Sequence, residues 1–545
     1  MTDPGGGHAL VPARRALIAL VLLASVAGIF DHDLWNPHEH RVGAMAREMA
    51  DTGDWLVPHL GGRPLFHKPP LYYATGAVLY RLLPIDPARA IRLVSLLYAL
   101  VALGATARIG MLLGGRRVAI AASLVTVTTL GFLMVSRFIV VDAGLVAFTT
   151  GAFWAFLESR RGWRSARWLF WIALAGAFLT KGFIGPALVV PGLLAYLWRE
   201  RDLKSVIRLA PLRGHLIAAG IVAIWAVPLW LRDDGASLTG WLRDENLGRF
   251  LADPGAIYHH DEPTWFYVKG LALALLPWTP WAIWGVVARL RGTIDGSRDV
   301  ARFLLTWIIA GLVLLTLSRT KRELYLAPLL PATSLLLADW LVRLPRRPGE
   351  RLWTWGLGAL ALLSPLVCGT LWLTGRLTWP SPFVTFPVAI AGSVATFLLI
   401  RRRRDLAFWA APALLLFVGV TLAYPPADLS KSHRPGMAEL AEVVGDRPLT
   451  SWRFGETLTG SLSFQTGRMT EDLRGWRALE ERLKREDDGY VLIRAHRWPF
   501  DAEPDESFPG LVRIVTVMEA ELIFVLRPDP VAADLVVRGR LRDLE

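Results

Sequence analysis

The chain has 545 residues, 53% of them hydrophobic and 24 of them tryptophan, an apolar share above the roughly 45–50% of soluble domains. Apolar stretches of about 18–22 residues recur from residue 14 to residue 424, each long enough for a hydrocarbon core of about 30 Å, so a polytopic α-helical membrane protein is expected and a soluble fold is excluded. The formal net charge of +13 does not point to nucleic acid, because the basic residues cluster in short loops between apolar runs, as the positive-inside bias requires.

In chain order, the first apolar run (residues 13–30) lacks a small-residue cleavage site and reads as a retained span with Arg14 and Arg15 on the cytoplasmic side. The basic clusters at Gly115-Arg116-Arg117 and in residues 158–167, 199–208, 289–298, 343–351 and 401–404 then all fall inside, provided residues 70–113 cross once. Residues 71–83 meet that condition: the stretch is short, follows two prolines and stops at Pro84, which suits a juxtamembrane or re-entrant helix. The count is about thirteen spans within residues 1–424 of a cytoplasmic (inner) membrane protein, with the amino terminus inside. Beyond Tyr424, Pro425-Pro426 is expected to break the last span, and charge density rises. Short β-rich runs follow at 449–452, 490–493 and 511–517, with a helical stretch at 476–484. Residues 425–545 are therefore expected to form a small extracytoplasmic α/β domain. The single cysteine, Cys368, lies in an apolar segment and supports neither a disulfide framework nor a cysteine metal site.

Chemistry concentrates in the first outer loop, residues 31–69, with Trp35-Asn36-Pro37-His38-Glu39-His40-Arg41 and then Phe66-His67-Lys68-Pro69-Pro70-Leu71. Ionisable groups gathered at a membrane face usually mark function. Three basic sites fall on the outer side against the charge bias: Lys68, Thr180-Lys181-Gly182, and residues 318–325 with Lys321 and Arg322. A lipid phosphate is a fitting counter-ion, since Arg offers a fork and Lys a point charge; snorkelling to headgroups or pairing with acids would also accommodate them. Asp31, Asp33, Glu39 and Asp142 map to the same face. Asp31 and Asp33 suit helix capping or solvated loop positions, whereas Glu39 and Asp142 stand beside arginines, Arg41 and Arg137, that can hold them ionised for proton transfer. His38, His40, His59, His67 and the run His259-His260-Asp261-Glu262 could supply ligands for zinc or a similar ion, His38 and His40 foremost. Their spacing matches no closed structural zinc pattern, and each also serves as a loop hydrogen-bonding residue.

Several segments together resemble the superfamily of aminoarabinose transferases and dolichyl-phosphate-mannose protein mannosyltransferases. They are Trp35-x-Pro37-x-Glu39-x-Arg41, Gly53-Asp54-Trp55-Leu56-Val57-Pro58 and Lys68-Pro69-Pro70-Leu71, followed in the same order by Leu179-Thr180-Lys181-Gly182, Leu276-Pro277-Trp278-Thr279-Pro280, residues 318–331, and Ser461-Leu462-Ser463-Phe464 with Gly467-Arg468. The resemblance implies a GT-C glycosyltransferase with thirteen spans, an extracytoplasmic carboxy-terminal domain and a polyprenyl-phosphate sugar donor. It assigns Lys68, Arg41, Lys321, Arg322 and Tyr325 to the donor phosphate, and Glu39 and Asp142 to the acidic centre. Members of the family typically carry Asp-Glu where this chain has His38-Glu39. Three readings stay open: Glu39 acts as the base, His38 does so at neutral pH, or the site is inactive. The implied reaction moves a sugar from an undecaprenyl-phosphate-linked donor to a lipid A, glycan, glycolipid or protein acceptor outside the membrane, with inversion. A lipid carrier or flippase would use the same cations without chemistry, though the repeated halves common in transporters are not visible.

Overall fold

Helix dominates the computed structural model of the chain, which describes residues 18–19, 21–26, 28–30, 32–35, 37–248, 262–292, 298–318, 320–344, 347, 349–374, 390, 394, 404–485, 487–500, 505, 507–518 and 521–542. The span expected at 13–30 lies partly outside these residues, and the stretch 375–403 almost wholly so.

The first complete helix, α1 (Pro37–Thr52), begins with proline in the first turn, where its missing N–H costs nothing. A small hairpin follows, β1 (His59–Leu60) on β2 (Arg63–Pro64), then α2 (Leu71–Leu82), too short to cross a membrane. Next, α3 (Pro87–Thr128) is interrupted at Gly115, whose φ of 79° is open to glycine and strained for other residues. A Cβ at Gly110 would lie 2.7 Å from Cα of Ala119, so the chain turns back on itself at the expected cytoplasmic Gly115-Arg116-Arg117 cluster.

Helices α4 (Leu130–Arg137) and α5 (Asp142–Arg160) meet at a 113° bend. They are followed by α6 (Ala166–Lys181), α7 (Ile184–Arg199) and α8 (Pro211–Arg232). Leu212, Ile224 and Leu231 of α8 are exposed, as a lipid-facing helix requires. A second bend, of 116°, separates α9 (Phe266–Ala274) from α10 (Thr279–Leu290) at the Leu276-Pro277-Trp278 segment. There Trp278 is fully buried and donates from Nε1 to Thr128 Oγ1 at 2.7 Å. After α11 (Arg298–Leu317), a 3-10 turn (Glu323–Leu329) runs into α12 (Leu330–Arg343), and then come α13 (Glu350–Leu373) and α14 (Arg404–Lys431). Among the described residues, Pro87–Thr128, Pro211–Arg232, Arg298–Leu317 and Glu323–Arg343 are long and apolar enough to span a membrane, and the two bent pairs qualify when each is taken as one span.

The prolines at 425 and 426 do not end the last of these helices, contrary to the expectation from sequence; α14 continues to Lys431. Proline fixes a φ that is itself helical, and the backbone groups it leaves unbonded are tolerated where water or neighbouring groups can take them.

The remaining chain is α15 (Arg434–Val444), β3 (Leu449–Trp452), α16 (Gly455–Thr466), β4 (Glu471–Leu473), α17 (Trp476–Leu483), β5 (Tyr490–Arg494), β6 (Leu511–Met518), β7 (Glu521–Leu526) and α18 (Pro530–Arg542). The strands form one sheet in the order β4-β3-β5-β7-β6. β3 pairs in parallel with β4 and β5, while β7 runs antiparallel to β5 and β6. Side chains alternate across the sheet with period two: Tyr490, Leu492, Ile523 and Val525 pack with α15 and α16, and Val491, Ile493, Phe524 and Leu526 pack with α17 and α18. A sheet buried on both faces explains why these strands read as continuous apolar runs rather than alternating ones.

By internal packing the chain separates into two units. One takes residues 1–29, 66–72 and 92–425; the other takes 30–65, 73–91 and 426–545. Most of the first outer loop thus belongs with the carboxy-terminal sheet, while Phe66 to Leu71 belong with the spans.

Candidate active site

In the unit that holds the spans, Asp142 occupies the first turn of α5 and Lys181 the last turn of α6. Lys181 Nζ lies 2.5 Å from Asp142 Oδ1, with 8% and 9% of the two side chains exposed. The ammonium also sits 4.0 Å from the centroid of the Tyr325 ring, a cation–π contact. The backbone N–H of Arg322 donates to the Tyr267 hydroxyl at 3.3 Å, and Lys321 Nζ donates to the Glu262 carbonyl at 3.0 Å. Lys68 is half-buried; beside it His67 Nε2 lies 3.7 Å from Glu245 Oε1, and Phe66 packs against Trp225 and Trp241.

One sequence expectation is corrected here. Arg137 does not hold Asp142. The bend between α4 and α5 turns residue 137 away from residue 142, and the buried guanidinium donates to Ser136 Oγ at 3.0 Å and to the Ala24 carbonyl. Lys181, singled out from sequence only as a cation on the unfavoured side, is the partner instead.

In the unit that holds the sheet, Glu39 is fully buried. It sits in the third position of α1, and its Oε2 accepts from the Trp35 N–H at 3.1 Å, reaching back over the helix start as a capping-box acid does. The N-terminal helix dipole favours a negative charge there. The rest of the loop is tied to the carboxy-terminal domain. Asp428 accepts from the Asp33 N–H at 2.8 Å and from Trp35 Nε1 at 2.5 Å, and Asp33 accepts from Ser432 and Gln465. Glu48 accepts from the N–H groups of Gly61 and Gly62 and from Ser463. Gly460 permits the closest approach, since a Cβ there would lie 2.8 Å from the His40 carbonyl oxygen. The segment Ser461-Leu462-Ser463-Phe464, noted from sequence without a role, is thus the surface on which α1 rests.

Arg41, assigned by resemblance to a phosphate, reaches Glu456 at 2.6 Å and lies 3.3 Å from His38 Nδ1. Glu456 and Asp428 carried no sequence signal, because their partners lie about four hundred positions away in the chain. His40 is fully buried and stacks on His433 with ring centroids 4.2 Å apart. Burial, then the neighbouring His433, hold the His40 pKa well below its ordinary value, and burial lowers that of His433.

His38 and His40 are two residues apart on a helix, about 200° around its axis, so the two rings leave on different faces and do not form a chelate. Among the described residues no three His, Cys, Asp or Glu side chains converge as a metal site would need. His259, His260 and Asp261 lie outside the described residues, as does Asp31. The residues present do not fit a zinc ion held by His38 and His40.

A sequence profile of the dolichyl-phosphate-mannose-protein mannosyltransferase family matches residues 21–233. An undecaprenyl phosphate-alpha-4-amino-4-deoxy-L-arabinose arabinosyl transferase of Pseudomonas paraeruginosa is 27% identical, over 95% of this chain and 96% of its own length. The enzyme of that name from Aeromonas salmonicida is 30% identical over 65% of each. Among solved structures, ArnT from Cupriavidus metallidurans bound to undecaprenyl phosphate superimposes with a TM-score of 0.75 at 19% identity, covering 94% of this chain and 97% of that one.

Over nearly its whole length the chain is similar to undecaprenyl-phosphate aminoarabinose transferases, and it shares the fold of ArnT. It is a multi-pass membrane glycosyltransferase, and its helical spans with a small carboxy-terminal sheet domain are the fold of ArnT. The expected sites of this glycosyltransferase divide between the two units: Glu39, His38, His40 and Arg41 in one, Asp142, Lys68, Lys321, Arg322 and Tyr325 in the other.

Proposed function

We propose that this glycosyltransferase moves a sugar from a polyprenyl-phosphate-linked donor to a lipid, glycan or protein acceptor on the outer face of the inner membrane, with inversion. The amino terminus is cytoplasmic and the sheet domain extracytoplasmic in this reading. The observation that carries it is the buried Asp142–Lys181 pair against Tyr325. Ionisable groups are costly in a membrane helix and are kept where they serve a substrate, and relatives matching nearly the whole chain are named for an undecaprenyl-phosphate-linked sugar donor.

The chemistry asks little beyond placement. Lys68, Lys321 and Arg322, with Tyr325, hold the phosphate and offset the charge that grows on it as the glycosidic bond breaks. The acceptor oxygen attacks the anomeric carbon from the side opposite the leaving phosphate, and the family resemblance gives the role of taking its proton to Glu39, with His38 orienting the acceptor. Asp142, neutralised by Lys181, acts by fixing the cations and Tyr325 rather than by accepting the proton.

The test is comparative mass spectrometry of lipid A, glycolipids, surface glycans and glycoproteins from cells with the gene, without it, and with Glu39→Gln. A sugar lost in both the deletion and the variant is the expected result and names the acceptor. A sugar lost only in the deletion moves the base to His38, and no change in any fraction removes the transferase reading.

A further inference from the structure

The connection between α7 and α8 presents an outward face that neither the spans nor the expected sites explain. Gly182 turns α6 into α7, and at 1.5 Å per residue α7 puts Arg199 about 24 Å from that turn, toward the membrane face away from Lys181. A short helical turn, Lys204–Arg208, follows. Its Ser205 is buried, as is Leu209 one turn on, so the other side of the turn faces outward. That side carries two rows at the four-residue spacing of a helix face. Leu203 and Ile207, 52% and 73% exposed, form one row, and the exposed Lys204 and Arg208 form the other. Just before them stand Trp198, 75% exposed, and the exposed Arg199 and Arg201.

The two acids of this segment are engaged by cations outside it. Arg160 donates to Asp202 at 2.9 Å, and Arg302 Nη1 lies 3.4 Å from Glu200 Oε1. The backbone is pinned in this arrangement: Asp202 also accepts from Ser205 Oγ at 2.5 Å, and Trp171 Nε1 donates to the Leu209 carbonyl at 2.8 Å. On either side Arg201 and Ala210 take left-handed φ values of 53° and 48°, which non-glycine residues adopt only where their surroundings impose it. The positive-inside bias explains cations in a loop, but it gives no reason for large apolar side chains standing exposed among them. An interfacial segment needs both, an apolar row to enter the acyl boundary and a basic row to meet the phosphates above it.

We propose that residues 198–208 form a binding surface for anionic phospholipids, lying along the membrane with Trp198, Leu203 and Ile207 toward the acyl chains and Lys204 and Arg208 on the lipid phosphates. The guanidinium fork takes two phosphate oxygens and the ammonium acts as a point charge. A headgroup of net negative charge is preferred over a zwitterion, whose own cation repels the basic row. This surface lies apart from the expected donor and acceptor residues, and the proposal does not rest on the transferase reading.

The test is native mass spectrometry of the full-length protein titrated with dioleoylphosphatidylglycerol or with dioleoylphosphatidylcholine. The first phosphatidylglycerol is expected to bind roughly tenfold more tightly than phosphatidylcholine, and Lys204→Gln with Arg208→Gln is expected to remove most of that difference while leaving phosphatidylcholine binding unchanged. Leu203→Ser with Ile207→Ser is expected to weaken both lipids roughly threefold or more, through the lost apolar contact. Arg116→Gln with Arg117→Gln takes the same charge from another basic loop and is expected to leave both affinities as they were. Equal binding of the two lipids, unchanged affinity in either variant of the 203–208 turn, or an equal loss in the Arg116 and Arg117 variant overturns the site. Glycerol phosphate, a headgroup without acyl chains, is expected not to displace phosphatidylglycerol; displacement would assign the basic row to a soluble phosphate and overturn the lipid surface.

Discussion

Lys181 and Asp142 form a buried ion pair 2.5 Å long that joins the end of α6 to the start of α5. The pair brings an anion, a cation and the Tyr325 ring together in the unit that holds the spans, and it gives Lys181, buried at the end of an apolar helix, its counter-charge. Its attraction is offset by the loss of hydration of both groups, so the pair fixes geometry more than it adds stability.

Removing one partner exposes that imbalance. Lys181→Met should lower stability by about 3–5 kcal/mol, since an uncompensated carboxylate stays buried. Asp142→Asn combined with Lys181→Met should recover much of the loss. Thermal unfolding of the purified single and double variants measures this, and additive losses would show that the two side chains do not act as a pair.

Glu39 caps α1 and is the proposed base, and two substitutions separate these roles. Glu39→Gln keeps an oxygen to accept from the Trp35 N–H, so stability should change little while transfer is lost. Glu39→Ala should lose transfer and also about 1 kcal/mol of stability with the cap. Equal stability of the two variants would deny the capping role.

Arg41 is engaged by Glu456 through a part-exposed pair, which contributes at most about 1 kcal/mol. If Arg41 serves the donor phosphate, it exchanges one anion for the other, and Glu456→Gln should tighten donor binding several-fold with little change in thermal stability. Unchanged donor affinity would assign Arg41 to holding α1 on α16.

The stacked pair His40 and His433 makes stability fall with acid. Both groups have folded-state pKa values below the ordinary 6.5, so below about pH 6.5 the unfolded chain takes up protons that the folded chain excludes, and stability declines as pH drops. Above that pH both states are neutral at these rings and the effect vanishes. The unfolding temperature should fall between pH 7.5 and pH 5, and His40→Phe should flatten the slope. A wild-type profile matched by that variant would remove His40 as the cause.

Much of this protein was legible in its sequence because the signals are local. Apolar run length fixes that the chain is helical and crosses a membrane, since every backbone group must be bonded within the segment. Gly115 with two arginines marked the place where α3 folds back on itself, and the runs at 449–452, 490–493 and 511–517 became three strands of the sheet. Motif order marked the family, and wrong-side cations marked Lys68, Lys181, Lys321 and Arg322 as residues to explain.

Pairing was decided only by the tertiary structure. Arg137 is five residues from Asp142 and Lys181 thirty-nine, yet a 113° bend sends the near cation away and helix packing brings in the far one. Glu456 for Arg41, Ser463 for Glu48 and His433 for His40 lie about four hundred residues from their partners in sequence, because α1 rests on α16. Periodicity and charge bias report which face a residue occupies and on which side of a membrane it lies. Which charge meets which depends on how helices bend and pack, a property of the folded chain as a whole.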